Sequence, residues 1–148
     1  LVIANALRKA KDAAKRYESG VVIAADTVVL AGRQIIGKPK DMKDAAKTLK
    51  ILSRRSQWVY SGLAVIDIDR KKILTACEKT KIYMLPLTDE QIRRYFNKVS
   101  PLDKAGSFDI QGIGGIFIDR IEGCFYNVVG LPLAKLVRML NTLGFDLP

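Results

Sequence analysis

The run "VVIAADTVVL", Val21 to Leu30, decides how this chain is read. Apart from Asp26 and Thr27 it is apolar throughout, the mark of a strand covered on both faces and therefore of a sheet flanked by helices. A carboxylic acid inside such a run costs free energy unless something pairs with it. A lone acid that caps a strand end or pairs with a lysine is the plain reading. Three features point instead to a site: the apolar neighbours of Asp26, the adjacent Thr27 hydroxyl, and Lys38 at the far end of what reads as the next strand.

Upstream, Ile3, Leu7, Ala10, Ala14 and Tyr17 recur at helical spacing, and Gly20 closes that helix. Downstream, a short strand is expected at Ile35 and Ile36. Asp41 then caps a helix with Met42, Ala45, Ala46, Leu49 and Leu52 on its core face. "QWVYSGLAVIDID" and "ILTACEKTKIYML" read as an antiparallel hairpin. Thr88 and Gln91 form a capping box for a helix reaching about Asn97. A loop over 99–106, short strands at 107–111 and 115–121, and an aromatic-rich strand after Gly123 follow, with Phe125 and Tyr126 read as core aromatics ahead of the alternative that they stack on a base. Pro132 opens a last helix, with Leu133, Leu136, Val137, Leu140 and Leu143 inward. The class is α/β or α+β with a mixed sheet.

Lys and Arg number 25 against 15 Asp and Glu, so the chain carries +10 and favours an anionic partner. Histidine is absent, which removes the Ser-His-Asp triad and imidazole-based zinc sites. Catalysis must rest on carboxylates, lysines, hydroxyls and borrowed metal. Cys77 and Cys124 lack the spacing of a metal or redox motif and read as reduced thiols of a cytoplasmic protein. No apolar run reaches eighteen residues.

"GRQIIGKP", Gly32 to Pro39, has the glycine and lysine spacing of a P-loop but ends in proline where a hydroxyl should hold Mg²⁺. Pro39 also biases Lys38 away from helix, so a loop opening directly into a helix is excluded. Lys38 is left extended at a strand end. "PLDKAGSFDIQGIGG", Pro101 to Gly115, joins Asp103 and Lys104 to four glycines that let backbone approach a ligand. Its Gln111 carries a donor and an acceptor in one plane. A phosphorylated small ligand suits these features, and so, for the loop alone, does an ordinary polar turn.

Taken in order, "KAKDAA", "VVIAADTVVL", "IIGKPKD", "AAKTLKILSRRS", "YSGLAVI", "PLDKAGSFDIQG" and "YNVVGLPL" resemble the Maf family of nucleoside triphosphate pyrophosphatases, from Lys9 to Leu140. The resemblance implies an α/β fold, a mixed central sheet flanked by helices with Maf/ITPase-like architecture. It also implies hydrolysis of dTTP and UTP to monophosphate and pyrophosphate, with Mg²⁺ or Mn²⁺ as cofactor. Asp26 is implied as proton acceptor, Thr27 and Gln111 as specificity positions, and Lys9 and Lys38 as phosphate ligands, with Asp103 and Lys104 in or near the site. No metal ligand is assigned. The implied partner is the nucleotide, with room for a homodimer and no role for a membrane or nucleic acid.

On the same resemblance, residues 1–148 form one Maf-like domain that starts downstream of the family's N-terminal strand and Ser-x-Ser-Pro-Arg-Arg loop. Impaired turnover is the corresponding expectation. The competing reading is a catalytically impaired remnant acting as a basic nucleic-acid-binding or regulatory module.

Overall fold

A computed structural model describes residues Leu1–Pro148. The elements run α1 (Val2–Ala14), β1 (Val21–Ala31), β2 (Gln34–Ile36), α2 (Met42–Leu52), β3 (Gln57–Asp67), β4 (Lys72–Met84), α3 (Asp89–Phe96), β5 (Ile118–Glu122), α4 (Phe125–Val129) and α5 (Leu133–Thr142). The strands form one sheet in the order β2-β1-β3-β4-β5, so the fold is α/β as expected. β1 and β2 pair antiparallel, with Leu30 opposite Ile35, and β4 pairs antiparallel with β5.

The chain forms two compact units, one of Leu1–Thr27, Tyr60–Lys79 and Cys124–Pro148, the other of Val28–Val59 and Thr80–Gly123. In the first unit the period-two alternation of a strand explains the layering. Leu63 and Val65 of β3 meet Leu136, Met139, Leu140 and Leu143 of α5, with Val21 and Ala25 of β1 packed against them. Ala64 and Ile66, one step out of phase, meet Ala6 and Ala10 of α1, joined by Val22 and Ala24. Two helices therefore cover opposite faces of the same strands.

The α1 contact is close because Ala6, Ala10 and Ala64 are small and Gly62 has no side chain. A Cβ on Gly62 would sit 2.4 Å from the carbonyl carbon and oxygen of Val2 and 2.5 Å from the amide nitrogen of Ile3. The buried stripe of α1 is Val2, Ala6 and Ala10. Ile3 and Tyr17, expected inward, are exposed, because alanines allow the approach that larger side chains would block.

In the second unit Asp41 caps α2 by accepting from Asp44 N at 2.7 Å, and Thr88 and Gln91 complete the capping box of α3. Ala45, Leu49 and Leu52 are the buried residues of α2, while Met42 faces solvent. α2 packs on α3 and on the short 3₁₀ turn Ala105–Ser107. Tyr95 meets Phe117 edge-on at 5.1 Å.

Further expectations need correction, and Leu133, expected inward on α5, is exposed. β1 is second from the sheet's margin, β2 covers only Val29 to Ala31, and Ile23 is exposed, so the strand is not buried throughout. The strand expected at 107–111 does not form, because Gly106 and Ser107 take positive φ and turn the chain. The strand expected from Gly115 begins only at Ile118, after a 3₁₀ turn over Ile113–Phe117. The aromatic-rich segment is the short helix α4, ended by Gly130 at φ 119, and both Phe125 and Tyr126 are exposed.

The alanine-and-glycine contact between α1 and β3 yields a direct test. Gly62→Ala must push α1 off the sheet, and urea denaturation should show a loss of about 1–3 kcal/mol, the usual cost of overpacking. An unchanged midpoint would mean that α1 does not rest on Gly62.

Candidate functional site

Alternation along β1 sends Asp26 and Thr27 to opposite faces. Asp26 follows Val22 and Ala24 toward α1, where Lys9 Nζ donates to its Oδ1 at 2.6 Å and Asn5 Nδ2 to its Oδ2 at 2.9 Å. Lys9 also donates to the Ala25 carbonyl at 3.2 Å. Asn5 and Lys9 lie four residues apart, so one helix face carries both donors. Asn5 escaped the sequence reading, although its i,i+4 relation to Lys9 was available as a signal.

The Asp26 side chain is 17% exposed and that of Lys9 is 51% exposed. Burial pushes the carboxyl up. The hydrogen bonds from Lys9 and Asn5, with the charges of Lys9 and Arg8, outweigh that and hold it below the ordinary 3.8. Asp26 is therefore a fixed carboxylate at neutral pH, paired by an ammonium that still reaches solvent. Its partner is Lys9 of α1, where sequence reasoning had pointed along the strands to Lys38.

Thr27 follows Ala25 to the other face. Its hydroxyl is 2.7 Å from Ser61 Oγ and donates more weakly to the Gly130 carbonyl at 3.4 Å, while Ser61, fully buried, donates to the Asn127 carbonyl at 3.3 Å. This seats the turn after α4 against β1.

The second unit holds the remaining candidates. "GRQIIGKP" is a tight hairpin with Gly32 at φ 61, and α2 starts only at Met42, so no P-loop exists there. Gly106 N donates to the Gly37 carbonyl at 3.4 Å, joining the Lys38 turn to the loop of Asp103 and Lys104. Lys104 Nζ lies 3.1 Å from Asp103 Oδ1. The Lys104 hydrogen bond, with the nearby charges of Lys104 and Lys38, lowers the Asp103 carboxyl from its ordinary value. Lys38, Asp103 and Lys104 thus form one charged group beside a backbone that glycine brings close. Gln111 stands exposed on the next loop, and its amide N–H is tied to Asp109 Oδ1 at 2.8 Å.

No group of three or more His, Cys, Asp or Glu side chains could cage a metal. Asp26 offers a single carboxylate on β1, beside Lys9. That matches a Mg²⁺-type ion, which keeps most of its waters and binds through one or two carboxylates together with substrate phosphates.

The Asp26 pairing makes stability depend on acid. Because the folded-state pKa lies below the unfolded one, the contribution is present above pH 3.8 and lost as pH falls through the folded value. Asp26→Asn should lower stability at pH 7 by about 0.5–1 kcal/mol, a figure kept small because Lys9 is half exposed. The gap between wild type and variant should close below pH 3.8 in thermal unfolding followed across pH; a gap independent of pH would remove the ion pair from the account.

The family model described as Maf-like protein matches residues 1–143. A dTTP/UTP pyrophosphatase of Dictyoglomus turgidum is 44% identical over 147 residues, covering 99% of this chain and 76% of the relative. One of Carboxydothermus hydrogenoformans is 43% identical over 145 residues, with 98% and 78% covered. A dTTP/UTP pyrophosphatase of Clostridium botulinum Alaska E43 is 48% identical over 137 residues, with 92% and 73% covered. This chain, with Asp26 fixed on β1, Lys38 in the "GKP" turn and Lys104 in the "DKAG" turn, belongs to the Maf-like protein family.

Proposed function

We propose that this chain is a nucleoside triphosphate pyrophosphatase that prefers dTTP and UTP. The observation that carries the reading is the Asp26 carboxylate, held by Asn5 and Lys9 in a chain whose relatives bear that name. In the reaction water adds across the α–β phosphoanhydride. The bond from the α-phosphorus to its bridging oxygen breaks, the water oxygen joins that phosphorus, and monophosphate and pyrophosphate leave.

Asp26 orients the attacking water and accepts its proton. A carboxylate held below 3.8 is a weak base at pH 7, so its value lies in placement more than in basicity. It is also the group that would hold a divalent cation, Mg²⁺ or Mn²⁺, which when bound supplies a more acidic water and neutralises phosphate charge. Lys9 sits where it can exchange its hold on Asp26 for a phosphate oxygen. Lys38 and Lys104 serve as phosphate ligands, and Asp103 keeps the Lys104 ammonium in place. Such prepositioned cations stabilise the charge that develops on the leaving pyrophosphate, the main service a protein offers phosphoryl chemistry.

Gln111 reads the base, its amide matching the N3–H and a carbonyl of uracil or thymine. Thr27 supports the same preference through a hydroxyl fixed by Ser61. Both units serve one Maf-like domain over residues 1–148. Cys77, a thiol outside any disulfide, suits a cytoplasmic enzyme, and no helix is long and apolar enough to cross a membrane. No observation favours the competing reading as a nucleic-acid-binding module.

Product analysis with Mg²⁺ or Mn²⁺ should give pyrophosphate as the first product, faster from dTTP and UTP than from ATP and GTP, and chelation should stop it. Orthophosphate first, or a purine preference, would contradict the proposal. Asp26→Asn should cut turnover at least about a hundredfold in a folded protein, given that acid–base groups contribute roughly 10² to 10⁴. Gln111→Ala should narrow the preference for UTP over ATP by about 1–3 kcal/mol, the worth of one bidentate base contact.

A further inference from the structure

Gln111 must be held still to read a base, yet it lies on a stretch without regular structure between two 3₁₀ turns, and its side chain is exposed. Asp109 supplies the rigidity. Its Oδ1 accepts from Gln111 N at 2.8 Å and from Gly112 N at 3.2 Å, so one carboxylate oxygen gathers two successive amides in an Asx turn. Hydrogen bonds to a charged acceptor are about twice as strong as neutral ones.

Asp109 is itself anchored. Its own N–H donates to Tyr95 Oη at 3.2 Å, and Tyr95, 3% exposed on α3, is locked edge-on against Phe117. The loop then closes over this anchor: a Cβ on Gly114 would lie 2.5 Å from the Asp109 carbonyl oxygen and 2.7 Å from Tyr95 Oη. A Cβ on Gly115 would lie 2.8 Å from the Ile110 carbonyl oxygen. A continuous path thus runs from a buried helix residue through Asp109 to the backbone of Gln111, while the Gln111 amide stays open to solvent.

We propose that Asp109 is a positioning residue for Gln111 and thereby sets how strongly a pyrimidine is preferred; this rests on the reading of Gln111 as the base-contacting residue. An exposed glutamine loses side-chain freedom when it grips a base, and a backbone already fixed keeps that cost from growing. Without the Asx turn, the backbone would have to be ordered at each binding event. The loss falls on the nucleotide that uses the amide, so it appears in the KM for UTP before it appears in kcat.

The test compares kcat/KM for UTP and ATP in wild type, Asp109→Ala, Asp109→Asn, Gln111→Ala and the Asp109→Ala/Gln111→Ala double variant. Asp109→Ala should lower the UTP-to-ATP ratio about fivefold or more, chiefly through the KM for UTP. Asp109→Asn, whose amide oxygen can accept the same two N–H groups, should keep the ratio within about twofold of wild type. The double variant should show no lower ratio than Gln111→Ala alone, since two residues acting through one contact are not additive. If Asp109→Ala does not fold, Tyr95→Phe removes the hydroxyl that anchors Asp109 and should lower the ratio in the same direction by a smaller factor.

Equal losses for both nucleotides, or additive effects in the double variant, would reduce Asp109 to a structural residue and overturn the proposal. A ratio lowered by Gln111→Ala but not by Asp109→Ala would sink this inference alone. A ratio unmoved by Gln111→Ala would sink the reading of Gln111 and this inference with it.

Discussion

Two hydrogen bonds from α1 to the Asp26 carboxylate, one from Asn5 and one from Lys9, are the constraint on which the first unit turns. A carboxylate among apolar neighbours is pushed toward neutrality, and only donors held close by can reverse that. Closeness depends on small residues. Ala6, Ala10 and Ala64 fill the contact, and Gly62 lets the backbone of Val2 and Ile3 come within a distance that any Cβ would forbid. Packing and charge are therefore one arrangement: the alanines that give α1 its buried stripe also bring its polar face within reach of the acid.

The two-residue period of β1 then separates two tasks on adjacent residues. Asp26 turns to α1 and is fixed as a charge, whereas Thr27 turns to the opposite face and is fixed as a hydroxyl by Ser61. A one-residue slip of β1 would exchange them. The hydrophobic sets that flank them, Val22 with Ala24 and Val21 with Ala25, resist that slip because each is matched to its own helix.

Much of this was legible in the sequence wherever one local rule governed the outcome. The cap at Asp41, the capping box of Thr88 and Gln91 and the hairpin of β3 and β4 are set by neighbours a few residues apart. Asp26 stood out because an acid in an apolar run always needs an explanation. The misreadings arose where tertiary context decides. Which stripe of α1 is buried depends on Gly62 of another element, so the larger residues Ile3 and Tyr17 misled. At 107–111 the pattern suits a strand, but Asp109 spends its carboxylate on the amides of Gln111 and Gly112 and turns the chain away from pairing. Past Gly123, aromatic composition signalled a strand, and a short helix ended by a left-handed glycine formed instead.

Charge arithmetic gives the physical reason why the proposed chemistry calls for a metal despite a net charge of +10. Much of that excess is spread over the chain. In the first unit Lys9 is set against Asp26 and Arg8, whose charge reaches Asp26, leaves one positive charge over; in the second Lys104 is set against Asp103 and Lys38 leaves one over. A nucleoside triphosphate brings about four negative charges, and more develops on the leaving pyrophosphate. Lys9 cannot help to cover that deficit while it also neutralises Asp26. A divalent cation held by Asp26 would turn that carboxylate from a drain on the local positive charge into the means of adding to it, and would free Lys9 for phosphate. The low pKa of Asp26 then has a use beyond proton transfer: it keeps the anion available for that exchange across the neutral range.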